Sequence, residues 1–224
     1  MTLGRPRVHL RSTTSTNDRA RELATAGTPH GTLVTAGVQT AGRGRHGRTW
    51  SAPPGSSLLM SLVLREADAL LPLRAGLAVA DVAGPAGRVK WPNDVWIDGR
   101  KVAGILVEGR PAEGWAVLGI GFNVALDVRD LPPELHATAG TLGRSPSDLE
   151  STLTELLAAL DRRLAEPPDV VVTALRDRDV LLDRPLVWDG GEGVGAGIDE
   201  RGRLRVRLAD GSTRALESGE VRLR

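Results

Sequence analysis

Apolar runs of strand length recur at residues 32–38, 58–64, 102–108 and 115–124, bounded by glycine- or proline-bearing turns. Runs this short, rich in β-branched residues, read as strands rather than helices. Shorter strands fit residues 8–10, 89–91 and 95–97. Asp98-Gly99 supplies a two-residue hairpin turn after the last of these. Two helices interrupt this pattern. Ser15-Thr16-Asn17 offers capping side chains ahead of a helix-forming stretch at 19–26, and residues 70–82 carry a leucine/alanine face. The first 125 residues are therefore mostly sheet.

Beyond them, residues 147–164 are amphipathic, with Ser147 and Glu150 spaced as a capping box, and 170–178 form a second helical stretch. From Leu182 the pattern changes to short strands at 186–188, 194–198, 204–207, 213–216 and 221–223 with Xaa-Gly turns. That predicts a small barrel of five strands. Boundary signals lie at Pro167-Pro168 and at 183–185. The expected layout is α+β: a mixed-sheet catalytic domain with flanking helices over 1–180, then a small β-barrel domain over 181–224.

Composition removes several function classes. The 224 residues contain no cysteine, which excludes disulfides, zinc thiolates and a cysteine nucleophile. A net charge of +1 argues against a chain-wide nucleic-acid footprint. The N-terminus lacks the apolar run of a signal peptide, and no apolar stretch is long enough to span a bilayer. A cytoplasmic protein with no membrane partner is expected. His9, His30, His46 and His136 show no metal-ligand spacing, and neither a nucleophile elbow nor a Walker-type loop is present.

Three constellations carry chemistry. In Gly42-Arg43-Gly44-Arg45-His46-Gly47-Arg48-Thr49-Trp50, glycines let backbone approach a ligand and guanidinium forks match phosphate or carboxylate oxygens. Trp50 adds a broad apolar face. A solvated basic loop has about equal weight on this stretch alone. Lys90-Trp91-Pro92-Asn93-Asp94, with Lys101 and Gly104 beyond the hairpin, sets two lysines and a polar pair among apolar residues, where surface lysines on an ordinary hairpin are the plain alternative. Gly119-Ile120-Gly121-Phe122-Asn123 leaves room for a ligand against a strand, with Asn123 placed to bond it; a glycine bulge in a core strand is the alternative.

Together, Ser15-Thr16-Asn17, Gln39-x-x-Gly42-Arg43-Gly44-Arg45-x-Gly47-Arg48-x-Trp50, Lys90-Trp91-Pro92-Asn93-Asp94, Lys101-x-x-Gly104-Ile105-Leu106-Val107-Glu108 and Gly119-x-Gly121-x-Asn123 resemble the biotin–protein ligases, in that family's order and spacing. The resemblance covers nearly the whole chain. It implies the class II synthetase-like biotin/lipoate ligase fold with an SH3-like C-terminal barrel. It also implies a two-step reaction: biotin and ATP give biotinyl-AMP and pyrophosphate, and a lysine of a carrier protein then takes the biotin.

By position the resemblance assigns Ser15, Thr16, Asn17 and Gln39 to biotin, and Arg43, Gly44 and Arg45 to closure over biotin and the intermediate. Lys101 falls to the biotin carboxylate and the α-phosphate, as first choice for catalysis beside Arg45, with Lys90 as a second phosphate contact. Trp50 and Asn123 fall to the adenylate, and Gly42 and Gly104 join the ligand-binding set. Asp94 would orient Lys101 or support a metal, and His46 receives no role. Mg²⁺ is implied with ATP, its ligands unassigned. The implied partner is the biotin carboxyl carrier domain of an acyl-CoA carboxylase, the implied assembly a monomer or weak homodimer. The ligase-like part starts within the first twenty residues, so no DNA-binding domain is expected. A lipoate–protein ligase or octanoyltransferase, and a non-catalytic biotin or nucleotide sensor, are the competing readings.

Overall fold

The computed structural model describes residues 3–110 and 113–224. Its larger sheet has seven strands: β1 (Arg7–Leu10), β2 (Leu33–Ala36), β3 (Ser57–Leu64), β4 (Arg88–Lys90), β5 (Asp94–Ile97), β6 (Arg100–Arg110) and β7 (Trp115–Asn123), in the order β1-β2-β3-β7-β6-β5-β4. β1 runs parallel to β2; the other ladders are antiparallel. The strand expectations hold. The β5–β6 turn places Asp98 and Gly99 both at positive φ, 48° and 76°, as a two-residue hairpin of this hand requires.

Strand alternation sorts residues between two faces. Leu58, Met60, Leu62 and Leu64 of β3 and Ala116, Leu118, Ile120 and Phe122 of β7 enter the main core, covered by α2 (Leu71–Val82) and α3 (Leu149–Ala165). The intervening positions face the other way: Ser57 and Ser61 of β3, Gly119, Gly121 and Asn123 of β7, and, through the β6–β7 register, Gly104 and Glu108. This second face is small and polar. Part of it is covered by α1 (Thr16–Thr25), whose Ala20 and Ala24 pack on Val34, Val63, Trp115 and Val117. Over Gly104 and Gly121 the cover is the Trp50 ring.

One capping expectation was wrong. The box that precedes α3 is formed by Ser145 and Asp148, with the Ser145 N–H donating to Asp148 Oδ2 at 2.9 Å. Pro146, with its fixed φ, starts the turn, so the cap falls on the residue before it. Glu150 instead takes both guanidinium nitrogens of Arg7, at 2.7 and 2.8 Å.

After α4 (Pro168–Arg176) come β8 (Pro185–Trp188), β9 (Gly191–Ile198), β10 (Leu204–Arg207), β11 (Thr213–Leu216) and β12 (Val221–Leu223). They form an antiparallel sheet ordered β11-β10-β9-β8-β12. All five expected strands are there; among the described residues no ladder joins β11 to β12, so the expected small barrel is not confirmed. Leu186, Leu204, Val206 and Val221 share one core cluster with Leu73 and Trp91 of the larger part. No helix of the described residues is long and apolar enough to cross a membrane.

Candidate active site

A cleft of about 840 Å³ opens over the polar face. One wall is the loop from Gly42 to Thr49; the opposite walls come from Ala69, Pro72 and Leu73 before and within α2, from Trp91 to Asn93, and from Ile105 to Glu108 of β6. The loop is a compact hairpin. The Trp50 N–H donates to the Gly42 carbonyl (2.9 Å), the Gly44 N–H to Arg48 (2.7 Å) and the Arg48 N–H to Arg45 (3.2 Å). The backbone turns at His46 and Gly47, both at positive φ.

The loop's three arginines are not equivalent. Arg43 Nη2 lies 2.9 Å from Asp18 Oδ1 and 2.8 Å from Glu108 Oε2. Arg48 pairs with Glu220, on the C-terminal side of the molecule. Arg45 has no carboxylate partner among the described residues, and its contact is the neutral Asn93 Oδ1 at 3.3 Å. Burial pushes its pKa below the ordinary arginine value, with Asp94 opposing. Arg45 is thus the loop arginine whose charge is left unpaired among the described residues.

Beneath the loop, α1 begins at the Ser15 cap, whose Oγ accepts from the Asn17 N–H (3.3 Å). Gln39 Oε1 accepts from the Thr16 N–H (2.7 Å) and hydroxyl (3.1 Å). The wholly buried Ser61 hydroxyl lies 2.7 Å from Thr16 Oγ1 and 2.6 Å from Asn17 Oδ1. Asn17 Oδ1 can only accept, so it takes the single Ser61 proton. Asn17 Nδ2 donates to Glu108 Oε2 at 2.7 Å.

The two lysines have separate settings. Lys101 Nζ is 2.7 Å from Asp94 Oδ1 and 5.6 Å from the Trp50 ring centre, so Asp94 orients it. Lys90 Nζ sits 5.2 Å from the Trp96 ring, and burial lowers its pKa, an effect that Asp94 opposes and Lys101 adds to. Neither lysine lines the cleft itself. Asn93 ties the block to β6: its Nδ2 donates to the Ile105 carbonyl (2.9 Å), and its own carbonyl accepts from Ile105 (2.8 Å). Trp91 Nε1 donates to the Gly202 carbonyl at 2.9 Å, which brings the β9–β10 turn to the cleft rim. Among the described residues no three carboxylates or imidazoles converge to hold a metal ion.

Residues 9–124, more than half of the chain, match the Biotin/lipoate A/B protein ligase family, and residues 192–224 match the Biotin protein ligase C terminal domain. The biotin–[acetyl-CoA-carboxylase] ligase of Mycobacterium tuberculosis is 33% identical across 93% of this chain and 85% of its own. That of Paracoccus denitrificans is 35% identical across 88% and 92%. The chain belongs to the biotin–protein ligase family. Its match to the bifunctional ligase/repressor BirA of Bacillus subtilis, 38% identical over 66% of this chain, spans half of that longer protein. The fold also matches the biotin protein ligase of Aquifex aeolicus solved with biotin and ATP, with a TM-score of 0.84 and 28% identity over 98% of this chain and 99% of that one. The Leishmania major ligase solved with biotinyl-5-AMP matches at 0.66, with 27% identity over 94% and 98%.

In this family member, Ser15, Thr16, Asn17 and Gln39 lie together at the start of α1, and Gly42, Arg43, Gly44 and Arg45 stand in the cleft wall. The three strand glycines do leave space, but protein fills it. A Cβ at Gly119 would sit 2.1 Å from Asn17 Oδ1, one at Gly121 2.3 Å from Trp50 Cε2, and one at Gly104 2.9 Å from Trp50 Cζ3 and 3.2 Å from Lys101 Nζ. Asn123 is buried with its amide spent within the protein: Oδ1 accepts from Ser57 (3.1 Å) and Nδ2 donates to Gly140 (2.9 Å). Sequence reasoning assigned nothing to Asp18, Ser61 and Glu220 and gave Glu108 no role. Ser61, a lone hydroxyl inside an apolar strand, was the one visible signal.

Proposed function

We propose that this chain is an ATP-dependent biotin–protein ligase. Biotin's carboxylate attacks the α-phosphorus of ATP, forming biotinyl-AMP and releasing pyrophosphate. The amine of an acceptor lysine then attacks the mixed anhydride, giving the amide and AMP. The observation that carries the reading is the convergence of five separate motif blocks on one polar sheet face under one lid.

The roles follow from what each group has free. Thr16, Asn17 and Gln39, with their side chains already ordered, form a pre-set polar floor for biotin. Arg45, the lid cation without a carboxylate, meets the phosphate and stabilises charge developing there. Lys101, aimed by Asp94, meets the biotin carboxylate and α-phosphate, and Lys90 adds a more distant cation. The Trp50 ring shields the anhydride from water. Asn123 holds the β7 end and the segment around Gly140 in place. Among the described residues no carboxylate or imidazole cluster forms a metal cage, and the Mg²⁺ expected with ATP enters on the nucleotide's phosphates. The acceptor is the biotin carboxyl carrier domain of an acyl-CoA carboxylase in the cytoplasm, with no role for DNA. Residues 1–180 act as the catalytic unit and 181–224 as the unit that closes the rim through Gly202 and Glu217.

Biotin-dependent exchange of pyrophosphate into ATP tests the reading. Exchange driven by lipoate and not by biotin, or tight biotin binding with no exchange, would overturn it.

A further inference from the structure

Arg43 is the most heavily neutralised cation of the lid, and the way it is held is unusual. Both of its carboxylate contacts fall on Nη2, which donates to Glu108 Oε2 (2.8 Å) and lies 2.9 Å from Asp18 Oδ1. Its Nε is buried and has no partner among the described residues. A guanidinium that met a single carboxylate through its fork would engage two of its nitrogens, where Arg43 engages one. Something other than optimal pairing therefore sets its position.

Glu108 supplies that constraint. It lies in the regular β6–β7 ladder opposite Val117, so its backbone is rigid. The Oε2 atom that receives Arg43 also receives Asn17 Nδ2 at 2.7 Å, and Arg21 Nη1 faces the other oxygen at 3.9 Å. Arg21 in turn holds Asp18 at 2.5 Å. Two carboxylates and two guanidiniums thus form a closed set with no net charge. Removing Arg43 by opening the lid leaves two carboxylates sharing Arg21 alone, which opposes opening. On the other side, Asn17 is fixed by Ser61 and by the missing side chain at Gly119.

We infer that Glu108 is a positioning residue that roots the lid, its carboxylate tying Arg43 of the loop to Asn17 of the biotin floor. This rests on the ligase reading and deepens it. The lid closes on a fixed root at Arg43, and Arg45, two residues along, is thereby presented to the acyl-adenylate with its charge unspent. Movement of Asn17 on substrate binding reaches the lid through one shared oxygen atom.

The test uses the full chain with biotin and ATP in the absence of acceptor, and measures free biotinyl-AMP after rapid filtration. Glu108→Gln keeps an acceptor for Asn17 but removes the charge that holds Arg43. Free adenylate is expected to appear about tenfold faster, the scale of one charge-assisted hydrogen bond in a partly exposed setting. Arg43→Ala gives the same leak, and the double variant leaks no faster than either single one, because both changes cut one contact. Glu108→Ala also raises the biotin KM more than Glu108→Gln does, since only the alanine variant deserts Asn17. Wild-type retention in Glu108→Gln, additive leaks in the double variant, or a lowered Tm with kcat falling and no extra leak would each overturn the inference. Arg43→Ala changes a half-buried loop side chain that belongs to neither apolar core, so unaltered retention there overturns it alone. Absence of biotin-dependent pyrophosphate exchange in the wild type would instead refute the ligase reading.

Discussion

Gly119 and Gly121 lie two residues apart on the same face of β7, and the same substitution at each is expected to fail differently. In Gly119→Ala the new Cβ would lie 2.1 Å from Asn17 Oδ1 and 2.8 Å from its Cγ, so Asn17 must turn away. Asn17 is 3% exposed, and turning breaks its bonds with Ser61 and with the Glu108 carboxylate. Losing a neutral and a charged hydrogen bond costs about 2–4 kcal/mol, and overpacking adds about 1 kcal/mol or more. The total, about 3–5 kcal/mol, corresponds to a Tm loss of roughly 6–20 °C in a chain of this size. In Gly121→Ala the Cβ meets Trp50 at 2.3–2.7 Å. Trp50 belongs to the loop, and its indole N–H has no partner among the described residues to lose. Swinging it out forfeits ring contact and the Lys101 cation–π interaction, about 1 kcal/mol or roughly 2–4 °C. Both variants should lose biotin-dependent exchange, the second while remaining folded. Thermal unfolding followed by circular dichroism measures the difference. Adding Asn17→Ala to Gly119→Ala should lower Tm no further, since the clash and the bonds go together. A Gly119→Ala protein as stable as wild type, or one no less stable than Gly121→Ala, would refute the claim that Asn17 fills the space over Gly119.

Lys101→Ala should lower biotin-dependent pyrophosphate exchange by orders of magnitude with the fold retained, because a cation leaves the reacting centre; near-normal turnover would mean that it is misassigned. Arg45→Ala should release biotinyl-AMP into solution, checked by filtration, and tight retention would count against its place in the lid. Burial raises the Asp179 pKa to about 6, with the Leu181 N–H opposing. An unfolded aspartate titrates near ~3.9, so the native state binds more protons between those values, and this group's contribution to stability falls as pH rises from about 4 to 6, then stays level. The shift corresponds to about 3 kcal/mol, discounted to about 1–2 because the side chain is partly exposed. Asp179→Asn should therefore raise Tm at pH 7.5 and leave it unchanged near pH 4; an equal gain at both would show that the charge is not the cause.

What the sequence determined was local. Strand-length apolar runs, the Asp98-Gly99 turn, the Ser15 cap and the order of the motif blocks depend on neighbours a few residues away, and the structure reproduces them. Where a local signal had a close competitor it misled: Ser147 and Glu150 had capping-box spacing, but Pro146 gave the cap to Ser145. The five C-terminal strands were legible, whereas closure of their sheet depends on contacts between distant edges, and among the described residues no ladder joins β11 to β12. Tertiary structure alone decided which charges are free. Three arginines in one loop look alike along the chain, yet Glu108 and Glu220, 65 and 172 residues away, take up Arg43 and Arg48. Arg45 is left with a neutral amide. Likewise, a glycine announces only a missing side chain. Whether that space receives ligand or protein depends on what folds against it, and here Asn17 and Trp50 fill it. Packing distance and charge pairing are properties of the assembled face, and that is where the site was made.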